Sequence, residues 1–133
     1  MTYKDTQNGE AFIPWDIETS AGVDRSLLFL LVDAYREEKE RVFLKLHPKL
    51  APYKVAVFPL LANKPQLVEK AKEIYGELKP NFMTAFDDRG NVGKRYYAQD
   101  EIGTPYCVTV YFQSLEDKTV TVRDRDTTKQ GRI

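Results

Sequence analysis

Val92-Gly-Lys-Arg-Tyr-Tyr-Ala-Gln-Asp-Glu-Ile-Gly-Thr-Pro-Tyr-Cys-Val-Thr-Val110 reads as a helix, a hard stop and a buried strand. Asn91 is an N-cap residue for a helix starting near Val92 or Gly93. Tyr96, Tyr97 and Ile102 give that helix its apolar surface. Gly103 ends it and Pro105 forbids its continuation. The run from Tyr106 to Phe112 is β-branched and aromatic, as a central strand should be. The stretch therefore predicts an αβ unit, with a polar, mixed-charge helix beside a sheet.

Working outward, Lys54 to Leu61 is a nearly continuous apolar run, the pattern of a strand covered on both faces. Asn63 and Pro65 open a helix. Leu67, Val68, Ala71, Ile74, Tyr75 and Leu78 form one apolar stripe along it, and Pro80 stops it. Phe82 to Phe86 is the next strand, closed by Asp87-Asp-Arg-Gly-Asn91. After Phe112, residues 113–118 form a polar turn. Thr119 to Arg125 then alternates: Val120 and Val122 face the core, and Thr119, Thr121 and Arg123 face out. The order β-α-β-α-β-β predicts an α/β fold of three layers, α/β/α. Helical crossovers make its mixed sheet mostly parallel, with one antiparallel strand.

Upstream, Asn8-Gly9 marks a turn in the polar stretch Met1 to Glu10, leading into a strand over Ala11 to Ile17. Ser20 then caps a helix that runs to about Glu40, with Arg25 in its second turn. Leu27 to Val32 is six consecutive apolar residues, which cover every side of a helix. A helix apolar all round is buried all round. Little chain precedes it, so the sequence predicts cover from an upstream partner. Arg41 to Leu46 is weakly extended. Pro48 and Pro52 bias residues 47–52 out of helix and mark a domain boundary, with one segment over 1–46 and a domain over 53–133.

The chain has 133 residues, 42% of them hydrophobic, which suits a packed domain and excludes global disorder. A net charge of zero argues against a strongly basic nucleic-acid binder, though not against a local basic face. A single cysteine permits no internal disulfide, and Cys107 reads as a small buried hydrophobe. His47, the only histidine, reads as a surface or capping residue. No metal cluster, phosphate-cradling glycine loop or Ser/His/Asp set is visible. Asp87-Asp88 reads as a turn and Asp100-Glu101 as a solvated face or cap. With no signal peptide and no bilayer-spanning run, a soluble cytoplasmic protein without membrane attachment is expected.

The order Gly-Lys-Arg-Tyr96 followed by Gln-Asp-Glu-Ile-Gly-Thr-Pro-Tyr-Cys-Val-Thr-Val110 resembles the anticodon-binding domain of class II aminoacyl-tRNA synthetases, the bacterial-type glycyl enzymes above all. Glu18-Thr-Ser-Ala-Gly-Val-Asp-Arg25 is similar to motif 3 of their catalytic domain. Thr19 stands where that motif usually has proline, and Trp15-Asp16 replaces more usual residues upstream. The junction His-Pro-Lys-Leu-Ala-Pro52 matches their linker. The resemblance implies that Arg25 contacts ATP and that Glu18 and Ser20 line the glycine pocket. A guanidinium stabilises triphosphate charge, and a carboxylate holds an amino group. It implies anticodon contacts from Arg89, Asn91, Glu116, Arg123 and Arg125, beside Tyr111 and Phe112. Tyr97-Ala98 stands where the family commonly has two arginines, and Tyr111 where it has aspartate. Its partners would be glycine tRNA, glycine and ATP with Mg2+, in a homodimer built through a catalytic domain mostly outside this chain. The chain would be clipped at both ends and inactive alone. The alternatives are a free-standing RNA- or protein-binding module, like a polymerase accessory subunit, and a small doubly wound nucleotide enzyme. Glu18, Ser20 and Arg25 argue against the first, and the lack of a glycine-rich βα turn against the second.

Overall fold

The computed structural model describes residues 2–133; Met1, at the head of the expected polar stretch, lies outside them. The chain opens on a small hairpin, β1 (Tyr3–Lys4) with β2 (Ala11–Phe12), turning at Asn8-Gly9 as expected. The strand expected over Ala11–Ile17 stops at Phe12, and residues 13–22 have no regular structure. Pro14 lacks the N–H that pairing there would need.

Helix α1 spans Val23–Ala34 and is capped by Gly22, not Ser20. The Ser26 hydroxyl donates to the Gly22 carbonyl over 2.9 Å and closes the first turn. Arg25 therefore lies in the first turn of α1, not the second. The helix also ends short of Glu40. Tyr35–Glu37 leave it as strand β3, which pairs antiparallel with β4 (Val42–Leu44). Here pairing within a local hairpin overrides the helix propensity of Arg36 and Glu37.

The main sheet has five strands in the order β6-β5-β7-β8-β9. Strand β5 (Val55–Pro59) lies between β6 and β7 and leads into helix α2 (Pro65–Leu78). Strand β6 (Thr84–Phe86) leads into helix α3 (Val92–Ile102), and β7 (Tyr106–Val110) follows. Strands β5, β6 and β7 are parallel. Residues 113–118, expected as a polar turn, contain the short helix α4 (Gln113–Asp117). Strand β8 (Thr121–Asp124) and β9 (Gln130–Arg132) continue the sheet antiparallel. The tail that looked merely polar thus supplies a fifth strand, tied by reciprocal hydrogen bonds between Val120 and Ile133 of 2.9 and 3.0 Å.

The two central helices lie on opposite faces. Leu67 and Ala71 of α2 pack on Val57, Val108 and Val110, with Val120 and Val122 at the margin of that cluster. Tyr96 of α3 packs on Ala56, Phe58 and Cys107. The period of two in each strand produces both faces. The inner side of α3 is unusually polar, burying Arg95, Gln99 and Asp100 with Tyr96. Each finds a partner. The Tyr96 and Thr109 hydroxyls lie 2.6 Å apart, and the Thr104 hydroxyl donates to Gln99 Oε1 over 2.6 Å.

Cys107 is buried as expected. Burial pushes its thiol from 9.0 up to about 12, against the lowering effect of nearby Arg123. Tyr96 is pushed from 10.0 to about 12, again chiefly by burial. In both, the neutral form is the one the fold favours. Their contribution to stability is complete below the unfolded values and is lost as pH rises through the 9–12 window. A disulfide-exchange reagent at pH 8 is therefore expected to label Cys107 only on unfolding, and urea midpoints are expected to fall between pH 9 and 11. Prompt labelling of the native chain would contradict this placement.

Candidate nucleic-acid interface at the carboxyl end of the sheet

In an open α/β sheet, ligands bind where helices leave the carboxyl ends of adjacent strands toward opposite faces. Here that point lies between β5, whose chain turns into α2, and β6, whose chain turns into α3. The turn Asp87–Gly90 stands over it. Asp87 Oδ1 accepts from the Arg89 backbone N–H over 3.0 Å, the Asx-type turn expected of Asp87-Asp88. Asn91 caps α3 as expected, its Oδ1 accepting from the Lys94 N–H over 2.8 Å. The side-chain nitrogen of Asn91 is a donor that the cap does not use.

Arg95 holds this turn from below. Its guanidinium donates to the carbonyls of Pro59 over 2.6 Å, Gly90 over 2.9 Å and Arg89 over 3.1 Å. Although Arg89 and Lys94 beside it are charged, Arg95 adds nothing to a basic surface: it is buried and structural. Arg89 reaches into solvent, with 89% of its side chain exposed, and pairs with the Asp87 carboxylate over 3.2 Å. Exposed pairs of this kind cost little to separate, so the guanidinium is free to meet a ligand.

The same rim collects further groups. Phe112 is exposed at the end of β7 and, with Lys64, Pro65 and Gln66 at the start of α2, lines a cleft of about 400 Å³. Glu116 is exposed on α4. Arg132, which nothing in its local sequence marked, bridges Gln113, Asp117 and Thr119 with hydrogen bonds of 2.6–3.1 Å. It braces α4 and so the position of Glu116.

Arg123 and Arg125, implied as anticodon contacts, are not on this rim, and the outward face expected for Arg123 is corrected. Arg123 is 6% exposed and Arg125 3%. Both sides of β8 are covered, so its polar face turns inward beneath α3. Arg123 meets Asp100 through two parallel bonds of 2.8 Å each. Burial opposes the charge on Arg123, and its bonds to Asp100 outweigh that and raise its pKa. Arg125 sits at the opposite end of the sheet, donating to the carbonyls of Gly103 over 2.6 Å and Leu46 over 2.9 Å. Asp100, expected on a solvated face or cap, is fully buried.

Glu18, Ser20 and Arg25 are exposed. Along α1, Leu27 to Val32 are between 38% and 67% exposed, so the apolar helix that requires cover finds little in this chain. His47 is exposed, its Nδ1 accepting from the Lys49 N–H over 3.2 Å in a turn, as expected. Among the described residues no His, Cys, Asp and Glu cluster has metal-binding geometry, and no helix is long and apolar enough to cross a membrane.

Exposed guanidinium, amide, carboxylate and aromatic groups thus share one end of a three-layer α/β module. The chain belongs to the anticodon binding domain family, which it matches over residues 54–133. Across nearly its whole length it is similar to curated glycine–tRNA ligases. It is 54% identical to that of Borreliella afzelii over 98% of this chain and 30% of the relative. It is 54% identical to that of Caldanaerobacter subterraneus over 100% and 29%, and 51% to that of Bacillus cereus over the same shares. The chain thus spans about 30% of the length of the curated relatives it matches.

Proposed function

We propose that this chain is the anticodon-reading part of a glycine–tRNA ligase, with the end of the catalytic domain attached. The observation that carries this reading is similarity that runs past the family match, at 54% identity over 98% of the chain. The segment before residue 54 is thereby included, and with it the Glu18–Arg25 motif and the exposed α1. In this reading residues 1–46 close the catalytic domain, 47–52 link it and 53–133 bind tRNA. The apolar side of α1 packs into the rest of the catalytic domain. Arg25 then meets the triphosphate of ATP, with its Mg2+ held elsewhere in the protein. Glu18 meets the amino group of glycine, and Ser20 lines the pocket. The whole protein works in the cytoplasm, as a homodimer joined through the catalytic domain.

At the far end, Phe112 offers a stacking surface for an unstacked anticodon base, and Arg89 a guanidinium plane or phosphate contact. Asn91, whose oxygen is committed to its cap, donates from its amide nitrogen. Glu116 accepts from base amino groups. Arg123 and Arg125, buried away from this rim, take no part in it.

The test is a titration at fixed salt against two tRNAs differing only in the anticodon. Phe112→Ala is expected to weaken binding of glycine tRNA by about 1–3 kcal/mol, the usual loss for one stacked base. Arg89→Ala is expected to do the same and narrow the preference between the tRNAs if it meets a base, or to flatten the salt slope if it meets phosphate. Equal binding of both tRNAs by the unmodified chain would remove the reading of this rim.

A further inference from the structure

Three sequence-distant segments meet at the last turn of α3. Asp100 Oδ2 accepts from Arg123 Nη2 over 2.8 Å and from Arg41 Nη1 over 3.2 Å, while Oδ1 accepts from Arg123 Nη1 over 2.8 Å. Arg41 Nη1 also donates to the Arg125 carbonyl over 2.7 Å. Arg125 in turn holds the carbonyls of Gly103 and Leu46. The Arg41 guanidinium lies 4.1 Å from the Phe43 ring centre, and Arg123 4.9 Å from that of Tyr96. Among the described residues every buried side-chain nitrogen and oxygen in the fold has a partner.

This cluster joins the β3–β4 hairpin to the main sheet. The hairpin in turn holds α1. Lys45 N–H donates to the Ala34 carbonyl over 2.7 Å, and Ala34 packs with Leu46 and Ala51. A continuous path of short contacts therefore runs from α1 through the hairpin and Arg41 to Asp100 and β8. Buried, fork-shaped ion pairs add little net stability over an apolar contact of the same size. They do demand one geometry, because a guanidinium displaced from its carboxylate is left buried and unpaired.

We propose that Asp100, Arg41, Arg123 and Arg125 form a lock that holds α1 at one angle to the anticodon-binding sheet. On the ligase reading, which this last step rests on, Arg41 and Asp100 are positioning residues for tRNA charging. They fix the offset between the anticodon rim and the end of the catalytic domain, so that anticodon engagement places the far end of the tRNA.

Arg41→Met keeps the apolar stem and leaves the Asp100–Arg123 pair intact; Asp100→Asn removes the shared charge and carries a risk of unfolding. Hydrogen exchange is measured on the chain with each substitution. In Arg41→Met, amides from Tyr35 to Leu46 are expected to exchange at least tenfold faster, while those of Val57 and Val108 keep their rates. Unchanged protection of the hairpin, or equal loss over the whole sheet, overturns the lock. In the whole protein, Arg41→Met is expected to lower kcat for glycine attachment to tRNA about tenfold. KM for tRNA and glycine-dependent ATP–pyrophosphate exchange should stay within twofold, and Arg41→Lys should recover part of the loss. A parallel fall in charging and exchange overturns the positioning role. If the unmodified whole protein charges no tRNA, the ligase reading fails, and the exchange rates still decide the lock.

Discussion

Asp100→Ala is expected to lower the free energy of unfolding by about 3–5 kcal/mol, the range for removing one partner of a buried ion pair. The carboxylate is fully buried, and the side chains of Arg123 and Arg41 are each 7% exposed. Truncation leaves Arg123 without its two-point partner and Arg41 with only Glu38 and a backbone carbonyl. Arg123 cannot shed its proton to escape, because a guanidinium stays charged at any ordinary pH. Urea denaturation is the measurement, with an unchanged slope identifying lost stability rather than a changed unfolded state. Two controls separate the charge from the packing. Asp87→Ala removes the carboxylate partner of the solvent-exposed Arg89 and should change stability by less than about 1 kcal/mol. Asp100→Leu combined with Arg123→Met removes both charges at similar volume and should recover most of the loss, since the cost lies in the stranded charge. A loss below about 1 kcal/mol in Asp100→Ala would mean that water reaches these guanidiniums.

What was legible in the sequence follows the range of the interactions. Helix α3, its Asn91 cap and its Gly103 stop are local, and all three stand where the residues indicate. The apolar run of β5 and the stripe of α2 are short-period patterns and were equally plain. The alternation in β8 correctly separated Val120 and Val122 from Thr121 and Arg123, and the error lay in sending the polar set outward. In a sheet with helices on both faces, neither side of an inner strand meets solvent. Arg123 is inward because Asp100, 23 positions away, waits there, and Arg41, 59 positions from Asp100, completes the set. No local pattern encodes such a partner. Strand direction explains the misplacement of Arg125: antiparallel β8 carries it to the end of the sheet opposite Arg89, Asn91 and Glu116. For α1 the sequence signalled a need for cover, and the exposed Leu27–Val32 run answers that signal. Its early end was hidden because Tyr35–Glu37 take their conformation from Val42–Leu44.

Gly103→Ala is expected to cost about 2–5 kcal/mol, summing left-handed strain and overpacking. Gly103 ends α3 with φ at 87°, where a side chain is strained before any neighbour is considered. Its neighbours are also close. A Cβ there would lie 2.9 Å from the Leu44 carbonyl oxygen and 2.9 Å from Leu46 Cδ1. The Leu46 methyl can turn aside, whereas the Leu44 oxygen belongs to the backbone of β4 and moves only with the hairpin. Gly90→Ala supplies the comparison. Its φ is 64°, yet nothing lies within 4 Å of the added carbon. That substitution should cost only the backbone term, about 1–2 kcal/mol. The excess in Gly103→Ala therefore measures how firmly β4 is pressed against the end of α3. Its structural signature should be faster hydrogen exchange at Val42–Leu46, with β5 and β7 nearly unchanged. Equal losses for the two substitutions would mean that the hairpin yields freely at this contact. A loss in Gly103→Ala larger by about 1 kcal/mol or more would mean that the helix stop and the hairpin are held together by their backbones.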